Sequence, residues 1–540
     1  MVVIRAARRE RLTQDNRPQG CPASSAGQFV IRADGTARFD RHHHNFAEFW
    51  FIASGSGTLA VAGVHHEVGP GDIVYTPAGH DHDIIDVAEE LRIFWLSAEL
   101  PSGSTGAHLH ADPQDAEKHQ VPVRERVTDA PALRTSGIGK PTVTLPFPRT
   151  AKYGRAEQDV VQALMATGRL SETGRGPATT ALENAFSALV GVDHSLAFNS
   201  GTASLHAALH AVGAHPQVGV ATSPLTWISA LTATFQAGSF PVFHDLAPDS
   251  LALDPESLAN HSRERDHSAV LVTHAYGVPA EMDALLAAAG SVPVVEDCSH
   301  AHGAAYRGRM VGSWGAAGCF SLQDSKSASG GEGGVLTTSD RAVYERAMTL
   351  GHHPHRFAGE LRGPDLLGLI DTGAAYKYRI HPLAAGIAQV QLGKLGHRMA
   401  MADLNLTALR RALADLRAPL AVTELDEGSV RGWYGTPLTV TVDVPDAQAL
   451  ADGCTAAGVP LRRLYPDWLR APLLQDPALA GRFWPHLEHC AYKPPAPQEY
   501  PNYYRARNRT LVLKIPTVHA PDYMEQVATA LAHVLAENLP

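Results

Sequence analysis

Cysteine is scarce: the 540 residues hold five (Cys21, Cys298, Cys319, Cys454 and Cys490), widely scattered and with no C-x-x-C pair. That spacing supports neither a disulfide framework nor a zinc ribbon, and Cys298 and Cys319 read as small core residues near strand ends. No run of 18 apolar residues occurs, so no segment reads as a membrane helix. The N-terminal stretch lacks the apolar core of a signal peptide. Long basic runs are missing too. With a formal net charge of −10 and no helix-turn-helix pattern, the chain has no footprint for nucleic acid, and the short Arg5/Arg8/Arg9/Arg11 cluster reads as a solvated face. Internal repeats are not found. The balance of 19% charged and 44% hydrophobic residues is that of an ordinary globular chain, long enough for several domains and expected to be cytoplasmic.

Three regions differ in rhythm. Between residues 28 and 96, short β-type runs such as FVIRADG, AEFWFIASG and DIVYTPAG alternate with Gly/Pro turns, which predicts a small antiparallel barrel or sandwich. Residues 99–140 are polar and rich in Gly, Ser and His without periodicity, and read as a linker whose partial order against its neighbours is left open. From residue 141 helical patterns alternate with apolar strands, predicting a mostly parallel sheet flanked by helices over 141–400. Expected strands include Ser195–Phe198, Ala269–Thr273 and Val292–Glu296, with a helix over Thr202–Val212. A long helix and further mixed elements follow, expected to form a smaller α+β domain over 401–540.

The chemistry concentrates in VVEDCSHAHGAAYRGRMVGSWGAAGCFSLQDSKSASGGEGG. A buried strand delivers Asp297 at its carboxyl end, and a second strand (Gly318–Leu322) leads to Lys326 on a small-residue loop, 29 residues later. A pyridoxal phosphate (PLP) enzyme needs this pair: a carboxylate to hold the pyridine nitrogen protonated, and an amine to form a Schiff base. Upstream, Ser200-Gly201-Thr202 joins a strand to a helix, where backbone N–H groups can meet an anion. Trp227 follows a Pro-containing turn and could stack on a ring.

These segments occur in the order of known motifs: Asn199–Leu205 (SGT-x-x-L), Pro224-Leu225-Thr226-Trp227 (P-x-T-aromatic), His274-Ala275-Tyr276-Gly277 (H-x-Y-G), Asp297, Lys326 and Gly331–Gly334, then Tyr376-Lys377-Tyr378-Arg379. Over roughly three quarters of its length, from about residue 139, the chain resembles the DegT/StrS-type sugar aminotransferases, a branch of the fold-type I PLP enzymes. The resemblance implies that Ser200, Gly201, Thr202 and Ser321 bind the cofactor phosphate. It further implies that Trp227 stacks on the pyridine, His300 lies near the 3-hydroxyl, and Lys326 carries the cofactor and shuttles the proton. Lys377 departs from the family's usual asparagine, a position that reaches phosphate in the neighbouring subunit, so a homodimer with a shared site is implied. Arg379 is a candidate for a donor carboxylate, an interface salt bridge being the alternative. K-Y-R-x-H-P and S-H-A-H-G-A resemble the glutamine-using cyclitol and aminosugar branch.

The N-terminal region carries a second constellation. Residues 42–55 fit H-x-H-x3-E-x6-G and residues 71–82 fit G-x5-P-x-G-x2-H, the two motifs of cupin barrels, and FAEFWFIASGSGTLAVAG is similar to AraC-type sensor cupins. On a strand His42 and His44 share a face, Glu48 adds an oxygen two pleats on, and His82 arrives from a facing hairpin. Three imidazoles and a carboxylate suit a divalent transition metal, and the residues do not choose which. Asp86 stands where the enzymatic motif ends in Asn.

The combined expectation is a fold-type I aminotransferase fused to a cupin. It would move an amino group from L-glutamine or L-glutamate to a keto-sugar, keto-cyclitol or similar ketone in specialised-metabolite biosynthesis, the cupin binding a ligand or metal or performing a second step. The alternatives are PLP-dependent elimination or replacement on an amino acid, and a ligand-sensing regulator.

Overall fold

The computed structural model describes residues 12–13, 23–98, 108–110, 116–123, 143–149, 151–262, 267–374 and 376–539. The Arg5/Arg8/Arg9/Arg11 cluster, Cys21 and most of the expected linker lie outside the described residues. The chain divides into two compact units, residues 1–136 and 137–540.

The first unit is built from strands β1 (Ser25–Ile31), β2 (Arg38–Phe39), β3 (Glu48–Ser54), β4 (Gly57–Val61), β5 (Val64–Val68), β6 (Ile73–Thr76), β7 (His82–Val87), β8 (Leu91–Ser97) and β9 (His119–Gln120). Their sheets run β1-β8-β3-β6, β5-β4-β7 and β2-β9, all antiparallel. Period-two alternation turns Glu48, Trp50 and Ile52 of β3 inward, where Trp50 and Ile52 join Leu59, Ile84, Leu91 and Ile93 in the core. Part of the expected linker is ordered against the barrel. β9 pairs with β2, Val121 is fully buried in the same core, and Leu109 bridges to His43. In H-Q-V-P-V the apolar valines alternate with other residues, and that short alternation was masked by the polar composition around it.

The second unit centres on seven strands: β10 (His194–Phe198), β11 (Val220–Thr222), β12 (Pro241–Phe243), β13 (Ala269–Thr273), β14 (Val294–Asp297), β17 (Ala317–Ser321) and β18 (Gly334–Thr338), with a small hairpin of β15 (Ala305–Tyr306) and β16 (Arg309–Met310) between β14 and β17. Their order is β10-β18-β17-β14-β13-β11-β12, and β18 alone runs antiparallel to its neighbours. Pairing of β13, β14 and β17 is parallel, so their carboxyl ends open on one side. The helix Gly201–Ala211 is buried along most of its length, as its Ala- and Leu-rich sequence requires, and packs in the main core. A second sheet, β19 (Leu420–Val422), β20 (Thr436–Val440), β21 (Leu461–Arg463) and β22 (Thr510–Leu513), is ordered β19-β20-β22-β21. It packs with the helices Leu395–Asp415, Ala447–Ala456 and Pro521–Asn538. The first of these runs through residue 400, where the sequence suggested a boundary. Among the described residues no helix is long and apolar enough to cross a membrane.

Candidate active site

Parallel strands place their functional side chains where the strands stop. Asp297 ends β14 and Ser321 ends β17, while Ser200 caps the helix that follows β10, its Oγ accepting from the Ala203 N–H at 3.0 Å. A cavity of about 400 Å³ opens there, lined by Ser200, Gly201, Thr202, Trp227, Asp297, His300, Ser321 and Lys326 among others. Eight of the residues named from sequence are thus brought together. Lys377 and Arg379 are not: Lys377 is exposed, with a left-handed φ of 55°, and Arg379 bridges Phe198. Neither lines the cavity of its own chain.

The helix start is pressed against the strand ends. A Cβ on Gly201 would come within 2.8 Å of the Ser321 Cβ, and one on Gly334 within 2.3 Å of the Ser200 carbonyl oxygen. Only glycine permits this approach, which gathers three hydroxyl-bearing residues (Ser200, Thr202, Ser321) and a positive helix end at one corner of the cavity. That corner has the donors a phosphate requires.

The opposite wall is acidic and aromatic. Asp297 is 4% exposed, and one of its oxygens accepts from the Ser299 N–H at 3.1 Å. His300 stacks on Tyr434 (centroids 3.7 Å apart, 10° between planes), and its Nδ1 lies 2.5 Å from the Tyr465 hydroxyl. Burial, reinforced by the charge of Lys326, holds His300 far below the usual imidazole range, so it is neutral. Lys326 is half-buried, its Nζ 4.2 Å from the centre of the Tyr434 ring. Burial lowers its ammonium below the ordinary lysine range, which favours the nucleophilic free amine. The same contact acts on Tyr434. Burial pushes its hydroxyl up, but the Lys326 charge, a hydrogen bond with Ser325 and the charge and hydrogen bond of Arg462 together outweigh that and leave it lowered.

Sequence reasoning missed Tyr434 and Tyr465. They come from the second sheet's region, more than 100 residues after Lys326, and G-W-Y-G and L-Y-P match no motif that would flag them.

The barrel unit gathers its own cluster. His42 and His82 are cross-strand partners whose Nε2 atoms face each other at 3.1 Å, and His44, Glu48 and His82 all bring ligand atoms within 4.8 Å of one another. The Nδ1 atoms of His42 and His82 lie 2.7 and 3.4 Å from the Asp40 and His80 carbonyls. With each Nδ1 donating to its carbonyl, both Nε2 lone pairs are left to ligate a cation; in the other tautomer one Nε2–H donates to the other ring. Burial keeps both rings neutral, His42 lowered to about 4 and His82 to about 3. Glu48 accepts from Trp50 Nε1 at 2.7 Å and from the Ser97 hydroxyl at 3.0 Å. His108, from the segment expected to be linker, stacks on His42 at 3.6 Å.

A parallel-sheet fold with an acid at a strand end, a lysine opposite and a phosphate corner defines a PLP-type transferase. Residues 152–485, more than half of the chain, match the DegT/DnrJ/EryC1/StrS aminotransferase family, and residues 25–103 match the AraC-like ligand binding domain. An L-glutamine:2-deoxy-scyllo-inosose aminotransferase of Streptomyces lividus is 33% identical over 433 residues, 75% of this chain and 98% of that protein. The L-glutamine:scyllo-inosose aminotransferase of Streptomyces griseus is 37% identical over 210 residues, 38% of this chain and 49% of that protein. Among solved structures, an aminotransferase from Psychrobacter cryohalolentis (TM-score 0.63, 22% identity, 73% of this chain, 100% of that one) shares the fold. So does 3-amino-5-hydroxybenzoic acid synthase (TM-score 0.61, 23% identity, 73% and 99%). The chain belongs to the DegT/DnrJ/EryC1/StrS aminotransferase family, with an AraC-like cupin domain at its N-terminal side. It is an aminotransferase, and PLP is the cofactor the family implies.

Proposed function

We propose that this protein transfers the amino group of L-glutamine to a keto-cyclitol or closely similar polyhydroxylated ketone, in the biosynthesis of an aminocyclitol-type metabolite. One observation carries the reading: Lys326 and Asp297 line a single cavity in a chain that spans 98% of a glutamine-dependent inosose aminotransferase. The donor set fits PLP. The Ser200, Thr202 and Ser321 hydroxyls and the helix start would hold its phosphate, Asp297 its pyridine nitrogen, and Trp227 its ring face, with neutral His300 beside its hydroxyl. When bound, PLP supplies the electron sink that makes a Cα–H bond acidic. Lys326 then does the protein's part of the chemistry: as a free amine it takes the proton from the donor Cα and returns one to the acceptor carbon. Tyr434 and Tyr465 shield the cavity and hold His300 in one orientation.

A dehydratase reading is the runner-up, since a GDP-4-keto-6-deoxy-D-mannose-3-dehydratase shares the fold at a TM-score of 0.59. In the resembled family the sugar dehydratases carry histidine where this chain has Lys326, which favours transamination here. A homodimer in which Lys377 and Arg379 serve the partner's site accounts for their position outside their own cavity, and the four cysteines among the described residues, all free, suit a reducing cytoplasm.

In the barrel unit, His42, His44, Glu48 and His82 would hold a divalent transition metal, supported by the His44/Glu48/His82 cluster and by the His42 Nε2 that lies 3.1 Å from that of His82. The metal would give the barrel a Lewis-acidic ligand site.

The test is product formation from 2-deoxy-scyllo-inosose or scyllo-inosose with L-glutamine, followed by mass spectrometry. An aminated cyclitol supports the reading. Deoxygenation without nitrogen transfer would favour the runner-up.

A further inference from the structure

Every α-amino acid donor brings a carboxylate two bonds from the amine that must reach Lys326. A carboxylate drawn out of water needs a cationic partner, best of all a planar guanidinium. Resting on the donor reading above, we propose that Arg462 receives the α-carboxylate of the amino donor at the edge of the cavity, and so selects amino-acid donors.

Lys326 and Arg462 share one aromatic ring. The Lys326 Nζ lies 4.2 Å and the Arg462 Cζ 4.8 Å from the centre of Tyr434, so an amine directed to one and a carboxylate to the other span a single side chain. Arg462 lines a recess of about 310 Å³ that shares Ser325 and Tyr434 with the main cavity. It also lies 5.8 Å from the Tyr276 ring, and these two faces fix its direction. Among the described residues no carboxylate is within ion-pair distance of it.

Arg462 is exposed and hydrogen-bonds the Tyr434 hydroxyl, and the other cations near Lys326 face other groups. Lys152 pairs with Asp324 at 3.2 Å, and Arg398 donates to the Gln391 amide oxygen at 2.7 Å and to the Ser327 carbonyl at 3.3 Å. Arg149 and Lys514 bracket Phe147 rather than Tyr434. Arg379 lies outside the cavity of its own chain, and loss of L-glutamine binding in Arg379→Gln rather than Arg462→Gln would move the assignment to it.

The experiment compares wild-type holoenzyme with Arg462→Gln and Arg462→Lys in three measurements. The first is the L-glutamine concentration that half-converts the cofactor, read by its visible absorption. The second is the same titration with L-glutaminol, which has no carboxylate. The third is calorimetric binding of 4-carbamoylbutanoate, which is L-glutamine without its amine. Arg462→Gln is expected to weaken L-glutamine and 4-carbamoylbutanoate by about 10²-fold, to leave L-glutaminol within about threefold, and to be partly rescued by Arg462→Lys. Unchanged L-glutamine binding, or equal losses for L-glutamine and L-glutaminol, would overturn the assignment. So would the loss appearing in Arg149→Gln or Lys514→Gln instead. If L-glutamine fails with wild type while another α-amino acid converts the cofactor, the donor reading falls. The same comparison made with that amino acid, its alcohol and its deaminated acid then decides Arg462.

Discussion

Glu296 and Asp297 are neighbours in the chain and do opposite work on the two faces of one strand. Glu296 is fully buried, and its carboxylate accepts from the N–H groups of Gly312, Trp314 and Gly315 at 2.8 Å each and from His274 Nε2 at 3.0 Å. It ties the 312–315 turn to the strand. Asp297, one pleat on, faces the cavity.

The two acids therefore predict different failures. Asp297→Asn keeps the fold and lowers turnover by roughly 10²- to 10³-fold. Glu296→Gln sets an amide NH2 against donors and costs about 3 kcal/mol of stability. Thermal melting measured beside initial rates separates them: Asp297→Asn melts like wild type, Glu296→Gln melts lower.

Lys326→Ala is expected to abolish turnover while leaving melting temperature and oligomeric state unchanged, and the visible band of lysine-bound cofactor disappears with it. Full activity in that variant would remove Lys326 from the chemistry.

Gly201→Ala tests the phosphate corner. Its Cβ collides with Ser321, so the helix start must retreat, and affinity for PLP falls by about tenfold or more. Fluorescence titration of the cofactor-free protein reads this directly.

The strand-end residues were legible in the sequence because each stands in a short local pattern. Asp297 follows an apolar run, Ser200-Gly201-Thr202 opens a helix, and Lys326 precedes a glycine loop. Tyr434 and Tyr465 were not, because they reach the cavity beside the paired strands β20, β21 and β22, a long-range arrangement without a local signature. The buried Val121 was hidden for a related reason. A two-residue strand carries too little periodicity to stand out from a polar segment. Arg379 does not line the cavity of its own chain, so its expected role, donor carboxylate or interface salt bridge, rests on a second subunit.

Stability at low pH has a traceable contributor. Burial would raise the Glu157 carboxyl, but hydrogen bonds from Lys394, the Gly154 N–H and Gln391 outweigh it and hold the group at about 2. Its contribution is complete above the ordinary value of 4.5 and is lost as pH falls toward 2. Discounting for the partly exposed Lys394, Glu157→Gln costs roughly 1–2 kcal/mol at pH 7. The gap between the two proteins closes as acid is added, which denaturant titrations at pH 7, 4 and 2.5 would follow.

For the barrel, purified protein is expected to bind one equivalent of a divalent transition metal, and the His42→Ala/His82→Ala pair to lose it without loss of transamination. Elemental analysis of both proteins checks this. Equal metal content in the two would remove the site.

The central claim is tested most directly by the visible absorption spectrum of the PLP-loaded protein before and after L-glutamine. The account predicts that the long-wavelength band is lost, that a stable shorter-wavelength band of aminated cofactor replaces it, and that scyllo-inosose or 2-deoxy-scyllo-inosose restores the first. A spectrum that shows bound cofactor yet is unmoved by L-glutamine would contradict it.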